Sequence, residues 1–440
     1  MIRKTPLIVA AAFGCFLLAT HLLGQQKANR VEQEQARSIL RQVEETIEKN
    51  YFDPSLRSYD LHARFQEADK KINDAPTLVA GLAVINWAVE GLNDSHTFFI
   101  PPPRNVVVYS GWQMQMIGSD CLITAVEPNS DAWKKGLRPG DRLLKVESYE
   151  PTLATFQIIR GRIDEFLQLV EYHMVVASPG QASRQVTTKS QLITLPQTTN
   201  FFTGGDAQHQ IQRQRESYQL LTKTRTSEVS DKLMIWKLPR FNLPQVETER
   251  LFGTARKHET LILDLRDNAG GAVDVLDSMI GNAFDHDITV AQAIERTGNK
   301  PLHAASRGEK AFGGKLIVLV NSSSGSAAEI FARTVQLEKR GTVLGDKTQG
   351  AVRIARIFPL RQEGGNVIVY GLEISTAQLK MPDGGDLEGT GVTPDVTVLP
   401  TPTDFAEGRD PVLAAAAKLA GVELSAEQAG KMFPVVWATH

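Results

Sequence analysis

Cysteine is nearly missing: 440 residues hold two, Cys15 and Cys121. Cys15 lies in an apolar run at the N-terminus, so removal of that run leaves one thiol, which cannot close an internal disulfide. An oxidising compartment is allowed but not used for stability. Positive charge is not in excess either. The 48 Lys and Arg residues are balanced by 50 Asp and Glu, giving a formal net charge of −2 with no Lys/Arg-rich run. Nothing here would neutralise a phosphate backbone, so nucleic acid is excluded as a partner. The histidines show no metal-ligand spacing, and His173, His258, His286 and His303 sit in segments without a partner motif. No metal and no other cofactor is expected.

What is present is long enough for two or three domains, with 42% hydrophobic and 22% charged residues. Arg3 and Lys4 precede "LIVAAAFGCFLLATHLLG", which ends before polar "QQKANR". That layout predicts a signal peptide or N-terminal membrane anchor over 1–24, hence a place in the periplasm or cell envelope. Membrane contact would come only through this segment, if it is not cleaved. Over 28–100 the spacing predicts a helical domain: Ile39, Val43 and Ile47, then Leu61, Phe65, Ala68 and Ile72, then Leu78, Leu82, Ile85, Val89 and Leu92 after Thr77. Pro101, Pro102 and Pro103 mark its end.

Residues 105–190 alternate short apolar runs with turn signals. The stretch "VEPNSDAWKKGLRPGDRLLKV" reads as strand, short helix, glycine turn and strand, and closely resembles a PDZ domain of the bacterial protease type. Such domains take an extended peptide as an extra strand; the alternative is a small β-domain serving as a spacer. A polar linker is expected over 191–230. Beyond it "KLMIWKL", "LILDLRD" and "KLIVLVN" are β-branched apolar runs, each followed by turn formers and a helical stretch, the signature of buried parallel strands with helices outside. "NVIVYGLEI" adds a later strand. The catalytic candidate spans 231–420, with a C-terminal tail over 421–440.

In order, the helical segment, the PDZ-like segment, "LILDLRDNAGG", "VNSSSGSAAEIFA", "LGDKTQGA" and "LEGTGVTPDV" resemble the C-terminal processing (tail-specific) peptidases. The resemblance implies a multidomain α/β chain: a crotonase- or ClpP-like catalytic domain, an inserted PDZ-like β-domain and an N-terminal helical domain. It implies serine-dependent peptide-bond cleavage, with Ser326, three residues before Glu329, as the nucleophile. The residues agree. Ser326 stands where a strand passes through Gly325 into a helix, its Oγ at the positive helix end and the Ala327 N–H open to an oxyanion. Gly270 and Gly271 in "NAGG" let a second donor approach. "S-A-A-E" is also a capping box, which needs no catalysis, and that reading stays open. Ser322, Ser323 and Ser324 are loop residues on either view.

Most of these peptidases resemble each other in a Ser–Lys dyad, the lysine closing a G-E-x-T-x-G-K block. Here the block is "GDKTQGA", with Ala351 in the lysine's place and Ala355 where a glutamine usually follows. Lys347 falls at a variable position of the block and reads as a solvated turn residue, a poor candidate for the base. "NDSHTFF" is similar instead to a branch that includes the tricorn core protease and uses serine, histidine and glutamate with a second serine beside the histidine. That resemblance makes His96 the base and Ser95 and Glu388 the groups that orient it. The expected function is an exported serine endopeptidase acting on unfolded or extended polypeptide. The alternatives are an inactive, PDZ-bearing peptide-binding scaffold, in which His96, Ser95 and Glu388 are packing and turn residues, and a small-apolar-ligand binder.

Overall fold

The computed structural model describes residues 30–102, 106–153, 155–161, 169–194, 223–362 and 368–437. The apolar run over 1–24 with Cys15, Pro103, and residues 195–222 of the expected linker lie outside the described residues.

Helices α1 (Arg30–Asn50), α2 (Leu61–Ile72) and α3 (Leu78–Glu90) follow the predicted spacing, and Thr77 caps α3 by accepting the Ala80 N–H at 3.2 Å. Ile39, Val43 and Ile47 of α1, Phe65 and Ile72 of α2, and Ile85 and Val89 of α3 are buried in one core. The same core takes Tyr370, Leu372 and Ile374 from a strand near the other end of the chain. The joint is β1 (Phe98–Ile100), which pairs antiparallel with residues 371–373. The helices expected as a separate unit over 28–100 therefore share their core with the later α/β region.

Next come β2 (Val106–Tyr109), β3 (Trp112–Ile117), β4 (Asp120–Val126), helix α4 (Asp131–Lys134), β5 (Arg142–Val146), helix α5 (Phe156–Gly161), β6 (Glu171–Ala177), β7 (Ser183–Lys189) and β8 (Gln191–Thr194). Strands β3 to β7 form one antiparallel sheet in chain order, around a core of Met116, Ile123, Leu143, Phe156 and Met174. Strand β2 pairs with β8.

The chain then runs through β9 (Arg225–Ser230), β10 (Leu233–Lys237), α6 (Gln245–Ala255), β11 (Thr260–Asp264), α7 (Val273–Ala283), β12 (Ile288–Glu295) and β13 (Gly298–Ala304). It continues with β14 (Lys315–Val320), α8 (Ala327–Leu337), β15 (Gly341–Gly345), β16 (Arg353–Gln362), β17 (Ile368–Lys380), β18 (Val396–Thr397), α9 (Pro402–Glu407), α10 (Pro411–Leu419) and α11 (Ala426–Gly430). Strands β10, β11, β14 and β15 are parallel neighbours, with β9 and β18 at the edges. Met234, Trp236, Leu261, Leu263, Leu316 and Val318 point to the face covered by α6, α7 and α8. Leu233, Ile235, Ile262, Ile317 and Leu319 point to the face covered by α10. Burial on both faces is why these strands read as unbroken apolar runs.

Two expected boundaries are corrected. The stretch 191–230 is not wholly linker: its start is β8, and its end is β9, an edge strand antiparallel to β10. An edge strand with one solvated face carries polar residues and so reads as a connection. The tail over 421–440 is not free either. Ala429 is buried in the α10 core, and Val422, Met432 and Phe433 pack against it; a five-residue helix is too short to show an apolar period.

The second sheet has the order β1-β17-β12-β13, with β16 also on β17. Val290, Leu302, Glu373 and Leu379 of this sheet line one cavity with Ala269, Gly271 and Ser326, which follow the carboxyl ends of β11 and β14, where open α/β sheets place their ligand sites.

Candidate active site

Between β14 and α8 the chain makes a pinned turn. Ser324 Oγ donates to the Leu265 carbonyl at 2.8 Å, the Gly325 N–H donates to the Asn268 carbonyl at 2.8 Å, and the Ser326 N–H donates to the Ala351 carbonyl at 2.9 Å. Ser323 Oγ accepts from Gln115 Nε2 at 3.2 Å and Ser322 Oγ donates to the Met116 carbonyl, so β3 touches this turn. Of the four serines, only Ser326 lines the cavity described below.

Ser326 closes a capping box with Glu329, yet its backbone is not that of a residue serving a helix alone. The N-caps Thr77, Ser130, Thr401 and Ser425 are all extended, with negative φ. Ser326 has φ 55° and ψ −120°, a conformation costing a non-glycine residue about 1–3 kcal/mol. The surroundings hold it there. Glu329 is fully buried, and its carboxylate accepts from the Ser326 N–H at 3.0 Å, the Ala351 N–H at 2.9 Å, the Gly350 N–H at 2.7 Å and Thr348 Oγ at 2.5 Å. Burial pushes the Glu329 carboxyl up to about 7, and the four donors oppose that rise.

The Ala327 N–H opens α8 and has no acceptor among the described residues, as expected of the first turn of a helix. The Gly271 N–H is also uncommitted, while its neighbours are held in a parallel bridge to Phe241. Gly270 is corrected as an oxyanion donor: its N–H donates to Asn268 Oδ1 at 2.8 Å, an acceptor its own turn supplies. Gly270 matters for space instead. At φ 91°, a Cβ there would lie 2.5 Å from the Ser326 Cβ. Gly270→Ala is expected to slow fluorophosphonate labelling of Ser326 roughly ten-fold or more in folded protein, because the serine must move and strain is added; unchanged labelling would show that Gly270 does not set the serine's position.

Residues 94–97 form the turn between α3 and β1, and they bring three expected residues together. Ser95 Oγ donates to Glu388 Oε2 at 2.8 Å and lies 2.7 Å from His96 Nδ1, while the Ser95 N–H donates to Glu388 Oε1 at 2.9 Å. With its proton on Glu388, the Ser95 oxygen accepts from Nδ1–H, which assigns the tautomer and leaves Nε2 with a lone pair. Glu388 is anchored further by the Val352 N–H at 2.8 Å. Burial lowers the His96 pKa, opposed in part by Glu388 and Asp94, so the imidazole is neutral at neutral pH. His96 and Ser326 make no direct hydrogen bond; both line one cavity of about 410 Å³. Among the described residues no lysine lines it, and Lys347 is exposed.

The sequence reading missed Asp94 and Arg353. The Asp94 side chain, fully buried, accepts the His96 N–H at 3.1 Å and the Tyr51 hydroxyl at 2.9 Å, as well as Ser375 Oγ. Arg353 lines the cavity 3.7 Å from Asp94, and its Nη1 donates to Asp386 at 3.1 Å. Burial and the neighbouring Asp94 raise the Tyr51 pKa, which keeps its hydroxyl a donor. The "N-D-S-H" order was a usable signal, since an Asp two residues ahead of a backbone N–H makes a local side-chain turn; nothing around "AVRIA" marked Arg353.

Residues 236–398 match the model of peptidase family S41. A carboxyl-terminal-processing protease of a Synechocystis species is 32% identical over 151 residues, covering 34% of this chain and 33% of that protein. The chloroplastic C-terminal processing peptidase of Tetradesmus obliquus is 25% identical over 71% of this chain and 67% of its own length. Among solved structures, mature CPAF superposes with a TM-score of 0.64 at 14% identity, covering 86% of this chain and 94% of that one, a likeness of fold. The match to the Synechocystis relative and to one from Bartonella bacilliformis spans only about a third of their lengths, 33% and 30%. Residues 236–398, which include Ser326 and Glu388, are thus similar to peptidase family S41 and to carboxyl-terminal-processing proteases, and the chain shares the fold of mature CPAF.

Proposed function

We propose that this protein is an exported serine endopeptidase that cleaves unfolded or extended polypeptide, with Ser326 as nucleophile and His96 as base. The observation that carries the reading is a neutral imidazole with a free Nε2, sharing a cavity with a serine held at positive φ beside two uncommitted N–H groups. His96 Nε2 takes the Ser326 Oγ proton as Oγ attacks the scissile carbonyl. The oxyanion is met by the N–H groups of Gly271 and Ala327. Ser95 and Glu388 stabilise the imidazolium, which then hands its proton to the leaving amine, and an ester to Ser326 remains. Water, deprotonated by His96, releases the acid and restores the serine.

In this reading the β3–β7 sheet with α4 and α5 is a PDZ-like domain over about 105–190 that selects or presents the substrate, and the two-sheet region after residue 231 is crotonase-like. Its closing contacts run to Phe433, which extends the unit past 420. Export rests on the N-terminal apolar run; among the described residues no helix is long and apolar enough to cross a membrane.

Hydrolysis of an internally quenched, unstructured protein by the chain lacking residues 1–24 tests the proposal, and folded protein without activity would sink it. Ala351 motivates the competing reading, a peptide-binding scaffold, which predicts that outcome. The base makes a second prediction. Because burial lowers the His96 pKa, kcat/KM should rise with pH through a midpoint below 6.5 and be flat near neutrality. Glu388 and Asp94 partly oppose that lowering, so Glu388→Gln should shift the midpoint lower still while reducing the plateau. A midpoint in the lysine range would exclude His96 as the base.

A further inference from the structure

The walls of the cavity carry more than the reacting groups. Val290, Leu302, Ile330 and Leu379 make one part of the lining apolar, and four charged residues interrupt the rest: Arg240, Arg353, Asp277 and Glu373. Arg353 is neutralised by Asp386 and Asp94, and Glu373 has a partner. The side chains of Asp277 and Arg240 have neither an ion pair nor a hydrogen bond among the described residues, and neither residue is among those engaged elsewhere. Asp277 stands on α7, one turn beyond Val273, which also lines the cavity. It is half-buried, and burial, together with Asp274, raises its pKa. An unpaired, partly desolvated carboxylate on an apolar wall is an unfavourable arrangement that a cation from outside would relieve.

Resting on the peptidase reading, we propose that Asp277 is a specificity determinant: the cavity takes a substrate Lys or Arg side chain, its methylene stem along the Val290, Leu302, Ile330 and Leu379 wall and its charged head on the Asp277 carboxylate. Long basic side chains suit such a site because they bury their stems while the head keeps a polar partner. Arg240 lines the same cavity with the opposite charge. It disfavours a cationic head and so sets the strength of the preference without creating it.

The inference has two readouts. Wild-type protein is assayed on a library of internally quenched peptides differing at one position at a time. Ser326→Ala protein, which keeps the cavity, is assayed for binding of matched lysine and leucine peptides by fluorescence anisotropy. A preference for Lys and Arg over Leu at one position is expected. A half-buried pair lies between an exposed pair and a fully buried one in strength, so the lysine-to-leucine ratio should fall roughly ten-fold in Asp277→Asn. It should invert toward Glu in Asp277→Lys and rise in Arg240→Gln. Cleavage with no charge preference, or with one that Asp277→Asn leaves unchanged, overturns the inference while the peptidase reading stands. A lysine preference in binding that depends on Asp277, without cleavage in the wild type, upholds the inference while the peptidase reading falls.

Discussion

Peptide hydrolysis falls by on the order of 10³-fold or more in Ser326→Ala and by a similar factor in His96→Ala, because a nucleophile and its base act as a unit and losing either removes most of the chemistry. Lys347→Ala, by contrast, changes little, since that lysine is an exposed turn residue outside the cavity. The comparison separates a histidine base from a lysine base. Where the dyad lysine would stand, Ala351 offers only its backbone, with the carbonyl accepting from the Ser326 N–H and the N–H donating to Glu329. In the proposed mechanism the base therefore comes from the turn between α3 and β1. Hydrolysis retained in His96→Ala and lost in Lys347→Ala would reverse the assignment. Circular dichroism on each variant separates lost chemistry from lost fold.

Glu329→Gln is the second change with a large effect. The carboxylate accepts four hydrogen bonds with no cation near it. An amide keeps one oxygen for two of them and turns its NH₂ against the other two donors. Because the Ser326 N–H keeps the Ala351 carbonyl and the Thr348 hydroxyl can turn to accept, either orientation leaves one buried backbone N–H, that of Ala351 or of Gly350, unpaired, at a cost of roughly 1–3 kcal/mol. Urea denaturation measures the loss directly. Fluorophosphonate labelling should slow as well, because one of the four donors is the Ser326 N–H, and the strained backbone of that residue persists only while its surroundings over-determine it. The variant has a pH signature of its own. Burial lifts the Glu329 pKa to about 7 from an ordinary 4.5, so between those values the folded protein holds a proton that the unfolded chain releases. This group's contribution to stability therefore falls as pH rises from 4.5 to 7, and Glu329→Gln should flatten that slope. Wild-type stability and labelling in the variant would mean that the capping box is incidental to the serine.

Legibility in the sequence followed burial. Strands β10, β11 and β14 are buried on both faces, and their unbroken apolar runs stand out. Helices α1 to α3 bury one face each and show it by their spacing. Strand β1 does not: three residues between a turn and three prolines carry no periodic signal, and only pairing with β17 makes Phe98–Ile100 a strand. For the same reason the N-terminal helices gave no sign that their core includes Tyr370 and Leu372. At the site, Ser95, His96 and Glu388 were named from the family blocks, and the structure brings them within hydrogen-bonding distance across a separation of 293 positions. What sequence could not carry was occupancy. Gly270 and Gly271 look equivalent in "NAGG", yet Asn268 Oδ1 takes the N–H of the first and leaves that of the second free. Asp94 was passed over because its partners, Tyr51, Ser375 and Arg353, come from three distant segments.

The most direct test of His96 as the base for Ser326 is the rate of fluorophosphonate labelling against pH, in wild type and His96→Ala, with the adduct located by mass spectrometry. Labelling of Ser326 that rises to a plateau with a midpoint below pH 6.5, and is slowed on the order of 10³-fold in His96→Ala, is the predicted result. No adduct on Ser326 in folded wild-type protein at any pH near neutrality, or equal labelling without His96, would contradict it.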